Sequence, residues 1–226
     1  MKYEIAGGNL PVVTIELERG EQIFSESGGM AWMTEGVVME TNMEGGLFKG
    51  LARAVSGESM FLVTFTAKQG GARLAFTSSF PGSIMPVQLG PGQTIICQKR
   101  AFLCAERSVA LGVHLQRRLG SGLFGGEGFV LQKLTGPGVA FLEIDGAVVE
   151  QNLQPGEVLL VDNGHVAMFE PSVEFSLETV SGFKNVLFGG EGLFLARLKG
   201  PGKVWLQTMP VVNLAQRVVP FVPQKK

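Results

Sequence analysis

Cysteine is nearly absent from this chain. Only Cys97 and Cys104 occur in 226 residues, which excludes a disulfide framework and a four-cysteine zinc site. Charge is scarce as well: 17% of residues are charged, against a usual proportion of about 25%. Lys plus Arg is 19 and Asp plus Glu is 20, so the net charge is -1, without the basic excess of a general nucleic-acid binder. No stretch reaches the roughly 18 uninterrupted apolar residues of a membrane-spanning helix. The start, Met1 to Gly8, has no apolar run behind a basic residue, so no secretory signal is read and a cytoplasmic location is expected. Glycine does not fall at every third position, which excludes a collagen. The hydrophobic share of 45% excludes a disordered chain.

Glycine, by contrast, is abundant at 32 residues. The mean hydropathy of +0.25 calls for a large core or for buried subunit contacts. The strongest signal is internal repetition. Residues 123–142, LFGGEGFVLQKLTGPGVAFL, match residues 187–206, LFGGEGLFLARLKGPGKVWL, at 12 of 20 positions with an offset of 64. The same offset lays LGPGQTIICQKRAFLCAE (89–106) on LQPGEVLLVDNGHVAMFE (153–170), where the apolar positions track. A weaker third copy lies upstream: 17–34 falls on 89–106 at an offset of 72, and 56–71 on 125–140 at 69. The expected division is 10–81, 82–145 and 146–210, three β units in one body.

The units read as β. Short apolar runs such as 93–98 and 157–162 are bounded by Pro-Gly and by polar turns. Asn163-Gly164 between two apolar runs predicts a type I′ hairpin, and Lys99-Arg100 stands in the equivalent place. In such a hairpin Cys97 faces Phe102 and Cys104 faces Ile95, so the sulfurs are diagonal neighbours and both cysteines are read as small buried apolar residues. Gly136-Pro137-Gly138 and Gly200-Pro201-Gly202 mark further turns. Phe61–Phe65 and Phe129–Leu131 are near-continuous apolar runs, as in strands covered on both faces. The main helix candidate is Gly46–Val55, with Leu47, Phe48, Leu51 and Val55 on one side and Lys49 and Arg53 on the other. Three equal units suggest closure around a pseudo-threefold axis, which covers edge strands that otherwise invite aggregation; a linear array of the units is the alternative.

SGES (56–59), the two LFGGEG motifs, VDNGH (161–165) and GPGKVWLQT (200–208) together resemble the family named for altered inheritance of mitochondria. The resemblance spans roughly residues 10–210 and implies an all-β fold of three tandem, shortened double-stranded β-helix units, grouped with the tryptophan RNA-binding attenuator proteins. It carries no catalytic residues to this chain.

Three sets of residues are candidates for interaction. Glu58, Glu127 and Glu191 are equivalent and each follows a glycine; gathered on an axis they form a carboxylate ring, and singly they cap tight turns. Lys49, Arg53, Arg117, Arg118 and Lys184 precede the same turn and under threefold geometry make a positive pole. The segment 46–55 is a candidate for peripheral membrane contact or for a docked core-covering helix. His114 and His165 are not equivalent, and NGHVAMFE holds one His where a metal-binding cupin needs a cluster, so no metal or other cofactor is expected. His165 is read as a turn-flanking residue that satisfies a backbone group. SGES lacks the Gly-x-Ser-x-Gly of a nucleophile elbow, and GGEG lacks the Lys-Ser/Thr of a phosphate loop.

The expected function is non-catalytic: a rigid β scaffold that binds a protein partner or other copies of itself as a homo-oligomer. The alternatives are a small-ligand or RNA-binding module and a membrane-peripheral protein. A deep polar cleft with convergent titratable groups would speak for catalysis instead.

Overall fold

The computed structural model describes residues 1–26, 28–41, 62–117, 129–179 and 194–222. A first strand, β1 (Lys2–Ala6), precedes three sets of six. The first set is β2 (Val12–Leu17), β3 (Gln22–Glu26), β4 (Met30–Met33), β5 (Val37–Thr41), β6 (Leu62–Ala67) and β7 (Ala72–Thr77). The second is β8 (Gly82–Leu89), β9 (Thr94–Gln98), β10 (Phe102–Glu106), β11 (Ala110–Arg117), β12 (Phe129–Thr135) and β13 (Gly138–Asp145). The third is β14 (Val148–Leu153), β15 (Val158–Asp162), β16 (Val166–Phe169), β17 (Glu174–Thr179), β18 (Phe194–Lys199) and β19 (Gly202–Gln207). One helix, α1 (Val211–Val218), follows. The described residues are all-β apart from this helix and short 3-10 turns.

The strands form four antiparallel sheets with the orders β1-β2-β7-β4, β5-β6-β3-β10-β13-β8, β11-β12-β9-β16-β19-β14 and β15-β18-β17. Within each set the sixth strand pairs with the first and third, and the fifth with the second and fourth. The third strand is bulged at the same place each time, between Met30 and Trp32, Phe102 and Cys104, and Val166 and Met168.

The sheets stack in that order with a core in each gap. Val13, Ile15, Leu74 and Phe76 of the first sheet meet Ile23, Phe65 and Phe141 of the second. Phe24, Leu142 and Ile144 of the second meet Ile95, Cys97 and Met168 of the third. Ile96, Leu131 and Phe169 of the third meet Val161, Ala196 and Leu198 of the fourth. Because side chains alternate along a strand, neighbours such as Ile23 and Phe24, or Ile95 and Ile96, enter opposite cores. This is why these strands are apolar at nearly every position. Each large buried side chain contributes on the order of 1.5–3 kcal/mol, and the core is correspondingly extensive.

The hairpins expected at Asn163-Gly164 and Lys99-Arg100 are not formed. Both sites are 3-10 turns, Asn163–His165 and Lys99–Ala101, and the strands they join lie in different sheets. Neither Asn163 nor Gly164 has the positive φ a type I′ turn needs. Side chains hold the alternative turn: Asp162 Oδ1 accepts from Gly164 N–H (3.1 Å), and Gln98 and Gln207 donate to the Asn163 and Gly164 carbonyls at 2.9 and 2.7 Å. The Gly-Pro-Gly turns likewise carry the chain between sheets, with cis bonds at Gly136-Pro137 and Gly200-Pro201. The expected diagonal placement of Cys97 and Cys104 across one hairpin falls with it: Cys97 lies opposite Gln132 and Met168, and Cys104 opposite Phe141 and Ser25. Both cysteines are free and fully buried, as read.

Two junctions join successive sets, β3 with β10 and β9 with β16. Closure around a threefold axis needs a third, between β15 and β4. Among the described strands these two are unpaired with each other, and each ends a sheet.

Candidate functional site

The two junctions share one register. Cys104 and Ala105 of β10 face Ser25 and Phe24 of β3; Met168 and Phe169 of β16 face Cys97 and Ile96 of β9. Each junction joins three strands of one set to three of the next and so completes a six-stranded sheet. The outer sheets are the two halves left over. The last ends at β15, the same strand of its set as β3 and β9. The first ends at β4, the same strand as β10 and β16.

These two edges differ from the others. A sheet edge with free N–H and C=O groups templates further pairing, and proteins blunt it with charge or proline. The edge strands β1, β5, β11, β14 and β17 carry Lys2 and Glu4, Glu40, Arg117, Glu150, and Glu174 and Glu178, and β8 carries Pro86. Strand β4, Met-Ala-Trp-Met, has no charge. Strand β15, Val-Leu-Leu-Val-Asp, has only Asp162 at its end, and that carboxylate is turned onto the Gly164 amide. Both strands display large apolar side chains: Trp32 is 52% exposed and Leu160 53%, with Met33 and Val158 also exposed. Carrying the junction register one step further places Trp32 opposite Val161 and Met33 opposite Leu160.

A second feature is a polar cleft of about 410 Å³ between the β3–β4 turn, the Lys99–Ala101 turn and the end of β13, lined by Glu26, Ser79, Lys99, Arg100, Glu143 and Asp145. Burial pushes the Glu143 carboxyl up, against the opposing effect of hydrogen bonds from Ser79 and Ser78; the Asp145 charge adds to the rise. Burial also raises Asp145, while the Val211 amide and Arg100 favour its ionised form. These carboxylates are committed to the fold. Glu143 Oε2 accepts from Ser79 N–H (2.7 Å) and Ser78 Oγ (3.0 Å), and Asp145 Oδ2 accepts from Val211 N–H at 2.9 Å. They brace the backbone turns at the edge of the cleft.

Of the residues singled out in the sequence, Glu58, Glu127, Glu191, Lys49, Arg53, Arg118 and Lys184 lie outside the described residues, as does the segment 46–55. Arg117 ends β11 opposite Phe129, and its side chain is outside them too. His165 satisfies a backbone group: Nδ1 lies 2.7 Å from the Gln207 carbonyl, which only accepts, so Nδ1 is the donor. His114 is exposed on β11, its pKa lowered by partial burial and then by Lys133. Among the described residues no group of three His, Cys, Asp or Glu is placed to hold a metal ion, and no helix is long and apolar enough to cross a membrane.

Sequence reasoning missed the open edges and α1. The signal for the edges was in the alignment of units: Met30–Met33 falls on Phe102–Ala105, a strand that pairs with one from the unit before it.

Comparison with known proteins fits this architecture. An uncharacterised protein of Streptococcus pyogenes serotype M6 is 29% identical over 221 residues, covering 94% of this chain and 87% of that one. The X-ray structure of a Streptococcus pyogenes protein superposes with a TM-score of 0.78 at 25% identity, over 98% of this chain and 99% of the other. The model of the mitochondrial biogenesis AIM24 family matches residues 3–209, and the chain belongs to that family.

Proposed function

We propose that this protein is a non-catalytic β scaffold that assembles head to tail, strand β15 of one copy pairing with β4 of the next. One observation carries the reading. The two edge strands whose counterparts in the chain pair with each other, twice, in one register are β4, which has no charge, and β15, whose one charge, Asp162, is turned onto the Gly164 amide. The new junction makes a seven-stranded sheet, β17-β18-β15 followed by β4-β7-β2-β1 of the next copy, and removes Trp32, Met33 and Leu160 from water. The contact is heterologous, so it closes into a ring or continues as a filament according to the rotation at each step.

Light scattering coupled to size-exclusion chromatography, over a range of protein concentrations, tests the reading. The native chain runs as a multimer, and Leu160→Lys and Trp32→Lys each shift it towards monomer, because both positions are exposed in the single chain and tolerate a charge. A native chain that stays monomeric at the highest concentration removes the proposal.

A further inference from the structure

Among the described residues, the arm that follows β19 is the other large exposed apolar feature. The described contacts anchor it at its root. Pro210 packs against Gly164, where an added Cβ would meet its ring at 3.3 Å, Val211 N–H is held by Asp145, and Asn213 Nδ2 reaches His165 Nε2 at 3.2 Å. Beyond that root the arm is exposed. Val211, Leu214, Ala215 and Val218 recur at i, i+3, i+4 and i+7, one face of a helix, while Asn213 and Arg217 fall on the other. Leu214 and Val218 are exposed, and the chain continues with exposed Val219, Phe221 and Val222; Phe221 is 86% exposed.

The arm also has charge of one sign. From Thr208 to Lys226 there is no acidic residue, and Arg217, Lys225 and Lys226 are basic, in a chain whose net charge is -1. An apolar helix face with a projecting phenylalanine and basic flanks is the composition of a segment that lies in a membrane interface, with its rings and aliphatic groups in the acyl boundary and its cations among anionic headgroups. Eight helical residues span about 12 Å, too short to cross a bilayer and long enough to lie on one. Two arms brought together would set like charges side by side, which disfavours a second copy as occupant. We propose that residues 211–222 form a peripheral anchor that binds the surface of a membrane containing anionic lipid. This stands on the arm alone and does not require the assembly proposed above.

Flotation of the full chain with vesicles tests it. The protein rises with vesicles of phosphatidylcholine and phosphatidylglycerol at low salt and stays at the bottom with phosphatidylcholine alone. Phe221→Glu and Arg217→Glu each reduce the floated fraction at least about tenfold, and molar salt does the same. Both positions are exposed, so circular dichroism and thermal melting of the variants match the native chain. Recovery at the bottom with both vesicle types overturns the proposal. So does flotation that Phe221→Glu leaves unchanged. A variant that alters the multimer size without lipid while leaving vesicle binding intact would make the arm a protein contact and overturn it equally.

Discussion

Gln207 and Glu143 occupy equivalent places in successive units and make the same reach. Gln207 Oε1 accepts from Asp145 N–H at 3.1 Å, and Glu143 Oε2 accepts from Ser79 N–H at 2.7 Å. In each case a side chain near the end of a unit's last strand ties down the end of the preceding unit's last strand. One side chain is a neutral amide and the other a carboxyl, and that difference makes the contact between the first and second units the pH-sensitive one.

Burial raises the Glu143 pKa in the folded state. A raised folded pKa means that the folded chain holds the proton more tightly than the unfolded one. Its stabilising contribution is therefore complete below the ordinary carboxylate range and is lost as pH climbs through the raised value. Glu143→Gln supplies the neutral group permanently. The variant melts higher than the native chain at pH 7, and the gap narrows as pH falls towards about 4. Thermal melts of both chains across that range check it; a gap that widens on acidification contradicts it.

The cysteines are predicted to be inert. Burial, with a smaller effect from the Glu26 charge, pushes the Cys97 thiol up to about 12, and burial alone raises Cys104 well above its ordinary value. The reactive species is the thiolate, so Ellman's reagent at pH 8 finds neither thiol in the folded chain and both after denaturation. Prompt reaction of one thiol without denaturant would show that the central core opens.

Gly136 and Gly200 are places where backbone passes too close for any side chain. A Cβ on Gly200 would lie 2.7 Å from Leu153 Cβ and against the Gln154 carbonyl; one on Gly136 would lie 2.6 Å from the Leu89 carbonyl. Gly136→Ala and Gly200→Ala are each expected to cost about 1–3 kcal/mol, the usual range for overpacking against fixed neighbours. Urea unfolding measures it. Gly156→Ala is the comparison, because that glycine has positive φ but open space, and it isolates the conformational cost from the steric one.

Much of this fold was legible in the residues. The offsets of 64 and 72 locate strands that pair in matching registers, because turn glycines and apolar positions must recur wherever the same backbone path does. What pattern alone could not supply was the partner of each strand. An apolar run such as Thr-Ile-Ile-Cys-Gln (94–98) states that both faces are covered but not by which sheet. Asn163-Gly164 carries the dipeptide of a hairpin, yet glutamines distant in sequence take its carbonyls and hold a 3-10 turn. Helix α1 lay beyond the repeated motifs, although Pro210 followed by apolar residues at helical spacing announces it. The equivalent Glu and basic residues could be named from the repeats, but apart from the backbone of Arg117 they fall outside the described residues, and the interface proposed above rests instead on two plain apolar strands.

A cysteine pair tests the central claim most directly. In Met33→Cys/Leu160→Cys the new thiols are on exposed strands and the native pair stays buried. Mild oxidation followed by non-reducing electrophoresis is predicted to give a ladder of covalent multimers that collapses on reduction, with no ladder from Met33→Cys/Val149→Cys. A disulfide confined within single chains, or none at all, would contradict pairing of β15 with the β4 of another copy.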